Sequence, residues 1–354
     1  MPKQNKEYCY SIDAAKFICA LLVVAEHCVP FGYSEAFIIP NQILRNFIGR
    51  LAVPFFYVSS GFFFFKSNYF YNYDIKKVKK YVSRLLFLYV VWCLLYFPLH
   101  ISSILHDPNG ITFGVLNYIR AFLFEGGHPH LWYLRSLAVS IIIVSAMIKK
   151  KFSMEKIFMI SLAAYLVGLL GQGYTFLLEP LKKYDIMWDL LAYIKLIIGT
   201  TRNGVFEGLL FISMSLILSE HRHEYSKKLS IPLFTVSMAA FGAELLFLHR
   251  KGISLENDYS LFLFPAVFFL FQFVLSIKTE PSSKYKMLRK TSSVIYFTHP
   301  LVHNLMRSAL LRFKAGLTRT SVLFILTEVG SIALAYSAVK LSEIKWLKWT
   351  KKLY

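Results

Sequence analysis

The stretch SIDAAKFICALLVVAEHC, Ser11 to Cys28, has the length and apolar character of a membrane-spanning helix. It nevertheless carries Asp13 and Lys16 near one end and Glu26 and His27 near the other. A charge at the bilayer centre costs roughly 2.5–3.5 kcal/mol on insertion scales, so ionisable residues within a membrane helix indicate a functional site. The four side chains therefore predict a membrane protein with a polar site inside it.

The composition of the whole chain supports this prediction. Of the 354 residues, 56% are hydrophobic and 17% aromatic, and the 33 Phe and 22 Tyr are typical of lipid-facing surfaces and membrane interfaces. A net charge of +20 would suit nucleic acid, but the Lys and Arg form short clusters between apolar runs, as in the loops of membrane proteins. We therefore predict a lipid bilayer as a partner and no nucleic acid.

Cysteine usage and chain organisation point the same way. The four cysteines have no metal-ligand spacing, and two lie within one apolar run, so a disulfide framework is not expected. No cleavable signal-peptide pattern precedes the first apolar run, which is expected to remain as a helix. The connections between apolar runs are too short for a soluble domain, so residues 1–354 are predicted to form a single transmembrane domain.

An all-α integral membrane protein of about ten transmembrane helices is the predicted fold class, because ten apolar segments approach the ~20 residues that a bilayer requires. They are residues 12–31, 47–65, 82–103, 131–148, 156–178, 200–219, 230–249, 259–278, 292–312 and 320–341. Most Lys and Arg lie in stretches that this topology places on one side, namely 3–6, 66–84, 149–156, 222–228, 278–290 and 340–352. Since positive loops stay cytoplasmic, both termini are predicted to face the cytoplasm.

Lys16 and His27 are predicted to share one face of the first helix. Eleven positions correspond to three turns plus about 20°, which separates the two residues by ~16 Å along the axis. They can therefore line one polar path, with Lys16 at its cytoplasmic mouth, neutralised by Asp13 one turn earlier, and His27 deep inside. Alternatively, Asp13 and Lys16 form an interfacial pair and His27 is a packed, hydrogen-bonded histidine.

The second segment, RLAVPFFYVSSGFFFF from Arg50 to Phe65, is expected to be weakened near its middle by Pro54 and Ser59-Ser60-Gly61. Backbone groups freed at that depth are tolerated only against protein or a wet cavity. Gly61 would let another helix or a thin ligand approach closely. The stretch is therefore either a ligand-contacting site or a small-residue packing face.

Three further polar stretches open or interrupt apolar segments, at 130–135, 201–207 and 296–303. His130 and Trp132 fit an aromatic belt at the outer surface, and Arg202 and Asn203 can hold a polar or anionic group where the sixth segment enters the membrane. Glu244 and Glu328, within the seventh and tenth segments, require partners that the sequence does not identify.

His299 and His303 stand four residues apart on the ninth segment and can face the same way. Such a pair can chelate a metal ion, but no Glu lies between the two residues and no third ligand is in view. No metal is therefore expected.

Taken in order, these stretches resemble the membrane-bound acyltransferase 3 family, which includes bacterial O-acetyltransferases of surface polysaccharides and peptidoglycan. The resemblance covers almost the whole chain and is carried by IDAAKFICALLVVAEHC, VPFFYVSSGFFF, the basic stretch ending in Arg84, LWYL at 131–134 and IYFTHPLV at 295–302. The stretch TRNGVFEG at 201–208 is similar to the branch that contains the membrane half of vancomycin-resistance serine racemases.

The resemblance implies an acyl-CoA-dependent O-acyltransferase of the bacterial plasma membrane, with acetyl-CoA as donor. The acceptor would be a hydroxyl of a surface glycan, a lipid-linked sugar or a peptidoglycan precursor. His27 matches the proposed catalytic histidine and Lys16 the family's basic residue, which is usually Arg. The proline that usually follows the basic stretch is missing from SRLLFLYV. Donor-site candidates are Asp13, Lys16, Ser60, Gly61, Lys79, Lys80 and Arg84, and acceptor-side candidates are Glu26, His130, Trp132, Arg202, Asn203 and His299.

The chemistry of acyl transfer suits these residue types. A hydroxyl must lose its proton as it attacks a thioester, and a neutral imidazole near pH 7 can accept that proton. Whether His27 acts as a base or carries the acyl group itself stays open. Many helices with intramembrane His and Glu would also suit a transporter of an amino acid or a lipid-linked sugar, although no inverted repeat is visible. A scaffold without catalysis would leave the Lys16–His27 arrangement unexplained.

Overall fold

A computed structural model of the protein describes residues 9–67, 73–220, 227–253, 260–312 and 320–354. All regular secondary structure within these ranges is helical, which confirms the predicted class. The α-helices are α1 Tyr10–His27, α2 Ile38–Gln42, α3 Ala52–Ser67, α4 Ile75–Tyr96, α5 Ile101–Leu105, α6 Ile111–Phe124, α7 Trp132–Lys149, α8 Met154–Leu169, α9 Asp185–Ile198, α10 Gly208–Glu220, α11 Lys227–Arg250, α12 Leu263–Ser276, α13 Ser283–Arg312 and α14 Thr320–Leu341. Tighter or wider turns occupy Glu35–Phe37, Ile43–Ile48, Gly49–Leu51, Phe97–His100, Thr175–Lys183 and Lys345–Leu353.

Five helical runs in the described ranges are long and apolar enough to cross a membrane. They are Glu35–Ser67, Ile75–Leu105, Trp132–Lys149, Lys227–Arg250 and Thr320–Leu341. Helices α1 and α13 are not among these five because of their charged and polar residues. Helices α8, α10 and α12 are too short, with only 16, 13 and 14 residues. At 1.5 Å per residue α10 is about 20 Å long, shorter than a hydrocarbon core of about 30 Å. The protein is therefore a multi-pass helical membrane protein, and the ten spans and cytoplasmic termini stay predictions.

The helices α6 and α9 lie in stretches that the sequence analysis leaves as connections. Each has 14 residues and contacts the other. At 14 residues, both are shorter than the ~20 apolar residues that predict a membrane-spanning helix. Most of their large apolar side chains are exposed, for example Leu116, Ile119, Ile186 and Leu190.

Several predicted helix boundaries differ from the structure, two of them for identifiable local reasons. The sixth predicted segment starts at residue 200, but α10 begins only at Gly208. The Asn203 side chain accepts hydrogen bonds from the backbone N–H groups of Val205 (2.9 Å) and Phe206 (3.2 Å) and so holds a turn there. Similarly, helix α8 ends at Leu169, ahead of a glycine-containing turn, whereas the predicted segment runs to residue 178.

The expected weak point in the second segment is also wrong. Helix α3 runs without a break from Ala52 to Ser67, with Pro54 in its first turn, where a proline is tolerated. The irregular backbone lies earlier, in the π-helical turn Ile43–Ile48 and the 3₁₀ turn Gly49–Leu51. The Ser59 hydroxyl donates to the carbonyl oxygen of Phe56 (3.1 Å) within the continuous helix.

Helix α1 lies in the middle of the bundle and contacts α3, α12, α13 and α14. Tyr10 at its N-terminal end lies 5.5 Å from Tyr285, measured between ring centroids, at the start of α13. The other end of α1 is followed by Gly32, which lies near Thr320 at the start of α14. The predicted cytoplasmic cations Lys3, Lys6 and Arg222 lie outside the described residues. All four cysteines are free, as expected.

Candidate functional site

A polar cavity, here called the His27 cavity, lies beside the C-terminal end of α1. Five parts of the chain supply its walls: the end of α1, the stretch from Arg50 to Pro54, the start of α7, the turn before α10, and α13. The lining residues are Val23, Glu26, His27, Arg50, Val53, Pro54, His130, Trp132, Tyr133, Arg202, Glu207 and Tyr296. The His27 side chain remains exposed. The sequence candidates Glu26, His27, His130, Trp132 and Arg202 thus meet at one place.

The cavity has a volume of about 40 Å³. Since a buried water needs about 10–15 Å³ measured in this way, the cavity holds a few waters or one small polar group. It has room for an acetyl-sized group but not for the whole pantetheine arm of a coenzyme A thioester.

Glu26 and Arg50 form an ion pair on the cavity wall. The distance from Arg50 Nη1 to Glu26 Oε1 is 2.6 Å, and the two side chains are only 10% and 17% exposed. Arg45 Nε also donates to the backbone oxygen of Glu26, at 2.9 Å. The pair fixes the last turn of α1 and therefore the position of the neighbouring His27.

A second acid and a second guanidinium line the cavity from the turn before α10. Glu207 is 2% exposed, and the Arg202 guanidinium lies 4.7 Å from the centroid of the Trp132 ring, a cation–π distance. The cavity therefore combines two carboxylates and two guanidiniums with the imidazoles of His27 and His130. Such preorganised charge can stabilise a polar intermediate in a low-dielectric site.

His27 belongs to a cluster of imidazoles. Its ring stacks on that of His299, with centroids 5.2 Å apart, and the His299 ring lies 5.3 Å from that of His130. His299 Nδ1 donates to the backbone oxygens of Ile295 (3.0 Å) and Tyr296 (2.9 Å), which leaves Nε2 as an acceptor. The Nε2 atoms of His130 and His299 have no hydrogen-bond partner within the described residues, although both side chains are buried. A cluster of this kind can hold or pass on a proton.

The turn between α6 and α7 extends this cluster. Gly126 and Gly127 have φ values of +116° and +67°, which L side chains rarely adopt, and they turn the chain so that His128 meets His130. The two Nδ1 atoms are 2.9 Å apart, so one ring donates to the other. Burial, together with His100 and His27 nearby, lowers the pKa of His128 to about 4. His128 is therefore a neutral imidazole at pH 7.

Lys16 does not line the His27 cavity. The charged groups that act on it most strongly are Asp13, which is fully buried, and Arg289 on α13. Cys19, Ala20 and Val23, each at most 5% exposed, lie on the helix face between Lys16 and His27. The expected polar path between Lys16 and His27 is thus closed by apolar packing in this structure.

The other donor-site candidates lie apart from the cavity. Lys79, Lys80 and Arg84 are exposed near the start of α4, and Arg84 Nη2 donates to the backbone oxygen of Tyr354 (3.0 Å). The Ser60 hydroxyl is 3.0 Å from the hydroxyl of Tyr133, a residue that does line the cavity.

Gly61 lies where α3 packs against α10. A Cβ added at Gly61 would lie 1.9 Å from Ser215 Oγ and 2.9 Å from Ser215 Cβ. Gly61 therefore allows two backbones to approach closely, which is the packing alternative for this residue.

Replacing Gly61 with alanine is expected to destabilise the protein by about 1–3 kcal/mol, the usual cost of overpacking. The additional change Ser215→Ala removes the closest atom and should restore part of the loss. The midpoint of thermal unfolding in detergent for both variants, alone and combined, measures the effect. An unchanged midpoint with weakened acetyl-CoA binding would instead place Gly61 at a ligand.

Of the remaining candidates, Asn203 is buried and its side chain holds the turn described above. His303 has other contacts than His299: its Nδ1 is 3.5 Å from both Cys28 Sγ and Thr327 Oγ1. Glu244 accepts hydrogen bonds from the hydroxyl of Tyr174 (2.7 Å) and from two backbone N–H groups at 261 and 262, and so fixes the turn before α12. Glu328 Oε2 has no hydrogen-bond partner in the described part of the chain.

Four lining residues have no site role predicted from the sequence: Arg50, Glu207, Tyr133 and Tyr296. Each lies within or beside a motif that the sequence singles out. The signal that identifies Arg50 and Glu207 is their charge beside an apolar segment, which requires a buried partner.

The geometry defines a helical membrane protein with a buried site built from histidine, arginine and glutamate side chains. A family profile described as "Acyltransferase domain" matches residues 10–336. The protein therefore belongs to the acyltransferase 3 family, which confirms the resemblance found in its motifs.

Similar proteins in curated collections carry other names. An amino-acid racemase of Enterococcus faecalis is 29% identical over 337 residues, which cover 92% of this chain and 45% of the racemase. A serine/alanine racemase of Enterococcus gallinarum is 28% identical over 296 residues, 82% of this chain and 40% of that protein. The chain thus spans less than half the length of these relatives. No solved structure matches it.

Proposed function

We propose that the protein is an acetyl-CoA-dependent O-acetyltransferase of the bacterial plasma membrane. It moves an acetyl group from cytoplasmic acetyl-CoA to a hydroxyl of a cell-surface glycan or of its lipid-linked or peptidoglycan precursor, with His27 as the base. The observation that carries this proposal is the accessible imidazole of His27 on the wall of a polar cavity whose other walls come from several family motifs. Membership of the acyltransferase 3 family supports the reaction class.

The transfer step follows from the groups in the His27 cavity. A ring nitrogen of His27 accepts the hydroxyl proton as the hydroxyl oxygen attacks the thioester carbonyl carbon. The guanidiniums of Arg50 and Arg202 bring positive charge to the cavity in which the tetrahedral oxyanion forms. When the carbon–sulfur bond breaks, the proton on His27 passes to the thiolate, so that the products are the acetyl ester and free coenzyme A.

For acetyl-CoA to reach His27, the apolar packing on the face of α1 between Lys16 and His27 must open. The thin pantetheine arm would enter between α1 and α13 by displacing packing at Cys19, Ala20 and Val23, two of which have small side chains. Lys16, with Asp13 beside it, and Lys79, Lys80 and Arg84 would bring positive charge to the anionic nucleotide at the cytoplasmic end.

Acetyl-CoA labelled in its acetyl group tests the proposal when offered to the purified protein with a total extract of bacterial envelope glycans and lipid-linked sugars. We expect labelled ester in the acceptor fraction and an equal amount of free coenzyme A thiol. Thiol release and ester formation that do not exceed those of a protein-free control would refute the proposal.

A second candidate function is transport of an amino acid or a lipid-linked sugar. It is favoured by the names of the relatives, which describe racemases acting on amino acids. In proteoliposomes this alternative predicts uptake of a labelled amino acid without acetyl-CoA turnover.

Replacing Lys16 with alanine should raise the Kd for acetyl-CoA by at least tenfold, because a charge-assisted contact contributes about 1.5–3 kcal/mol. Lys16→Arg should keep the affinity close to that of the parent, since the family's usual residue here is Arg. Calorimetric titration of acetyl-CoA into both purified variants measures this difference. Equal affinity in the parent and in Lys16→Ala would remove Lys16 from the donor site.

A further inference from the structure

A second and larger cavity, here called the Arg45 cavity, opens next to the C-terminal ends of α1 and α11. Its volume is about 580 Å³, within the range of small-molecule sites. Three parts of the chain line it: Val29 to Tyr33 after α1, the helical run from Ile38 to Asn46, and His249 to Ile253 at the end of α11. The sequence topology places all three on the side opposite the cytoplasm.

The helical run contributes polar groups that lack partners. Asn46 is only 5% exposed, and its amide has no hydrogen-bond partner within the described residues. Arg45 Nε donates a hydrogen bond to the Glu26 backbone oxygen. The terminal guanidinium nitrogens of Arg45 have no partner in the described part of the chain. Both groups face the Arg45 cavity, so their N–H donors are available to a ligand there.

The backbone that carries these groups is unusual. Arg45 and Asn46 belong to the π-helical turn Ile43–Ile48, and such turns are rare and frequent at functional sites. The extra residue of a π turn changes which side chains face the cavity. Asn41, by contrast, is satisfied: its Oδ1 accepts from the Phe31 N–H (3.1 Å) and its amide donates to the Gly32 oxygen (2.8 Å).

The charge of the Arg45 cavity selects its ligand. Among the described residues, the lining contains the guanidinium of Arg45, the amides of Gln42 and Asn46 and the imidazole of His249, and no Asp or Glu. N–H donors that surround a single positive charge match a carboxylate or phosphate, together with hydroxyl oxygens. Within the described lining, a cationic ligand would meet no carboxylate.

We propose that the Arg45 cavity binds the acceptor of the acyl transfer as an anionic hydroxyl compound, with Arg45 and Asn46 holding its carboxylate or phosphate. This inference rests on the proposed acyltransferase function and adds the acceptor class to it. The hydrogen bond from Arg45 Nε to the Glu26 oxygen joins the cavity to the residue before His27. The anion is therefore held within a short reach of the base.

Three small probes that differ in one group test the chemistry: glycerate, glycerol 3-phosphate and glycerol. Each is titrated calorimetrically into the purified full-length protein in detergent, without acetyl-CoA. We expect glycerate or glycerol 3-phosphate to bind at least tenfold more tightly than glycerol, and the stronger of the two identifies the anion. No binding of either anionic probe, or equal binding of glycerol, would overturn the proposal.

Variants locate the probe. Arg45→Gln and Asn46→Ala should each weaken binding of the preferred anion at least tenfold, and Arg45→Lys should weaken it less. Arg250→Gln is the matched control, because Arg250 is exposed at the same end of α11 and does not line the cavity. Asn46→Ala keeps the Arg45–Glu26 contact and so guards against a folding effect of the Arg45 variant. Unchanged binding in Asn46→Ala and Arg45→Gln would overturn the assignment.

The readouts separate this inference from the function on which it rests. Probe binding is measured without acetyl-CoA, so it depends only on the Arg45 cavity. Binding that is lost in Arg45→Gln, in a protein that transfers no acetyl group, would support the anion site and count against the acyltransferase. Acetyl transfer by a protein that binds neither anionic probe would support the acyltransferase and count against the anion site.

Discussion

Replacing His27 with alanine is expected to lower acetyl transfer by at least 100-fold while the protein stays folded. A positioned general base contributes about 10²–10⁴-fold to a proton-transfer step, and alanine supplies no replacement base. The measurement is the rate of labelled acetyl transfer by purified protein at saturating acetyl-CoA.

The control for this variant is His106→Ala. His106 is an exposed histidine at the end of α5, and its Nδ1 donates to the Ser102 oxygen (2.9 Å). It should keep the rate of the parent, and both variants should elute from size exclusion in detergent as the parent does. A His27→Ala rate close to that of His106→Ala would exclude His27 as the base.

Arg50→Ala is expected to have the second-largest effect, and on stability as well as activity. It removes the guanidinium that pairs with Glu26 at 2.6 Å and leaves that carboxylate on a mostly buried wall beside His27. Breaking a fully buried pair costs about 3–5 kcal/mol; because these side chains remain 10% and 17% exposed, about 2–3 kcal/mol is expected. Thermal unfolding in detergent and the acetyl-transfer rate measure the two losses.

A double variant separates the stability loss from the activity loss. Glu26→Gln combined with Arg50→Gln removes both charges, so no uncompensated carboxylate remains and most of the stability should return. Activity should stay low, because the positive charge near the reacting carbonyl is still missing. Additive losses of stability in Glu26→Gln, Arg50→Gln and the double variant would show that the pair is not coupled.

The sequence predicts the fold class because lipid imposes a strong constraint: a spanning segment must be helical and apolar. It predicts lengths less well. Helices α6 and α9 fall below the length of a span, and α10 starts eight residues late because the Asn203 side chain holds a turn. The continuous helix through Ser59 and Gly61 depends on how closely α10 packs against it, and no local pattern encodes that packing.

The site is predicted where a charged side chain stands inside an apolar stretch. Glu26, His27, His130, Trp132 and Arg202 share one cavity because the ends of their helices meet. Periodicity places Lys16 and His27 on one face, but it does not report that Cys19 and Val23 pack between them. The sequence also does not predict the Arg45 cavity, because the π-helical turn that shapes it has no sequence signature.

The central claim is that the acetyl group reacts at His27 inside the membrane domain. A cryo-EM structure of the protein with a non-hydrolysable analogue of acetyl-CoA, in which a methylene replaces the sulfur, tests this claim most directly. We predict that the carbonyl carbon of the analogue lies about 3–4 Å from a ring nitrogen of His27, the distance of a near-attack geometry, with the nucleotide near Lys16 and Arg84. An analogue bound with its carbonyl outside the His27 cavity would contradict the account.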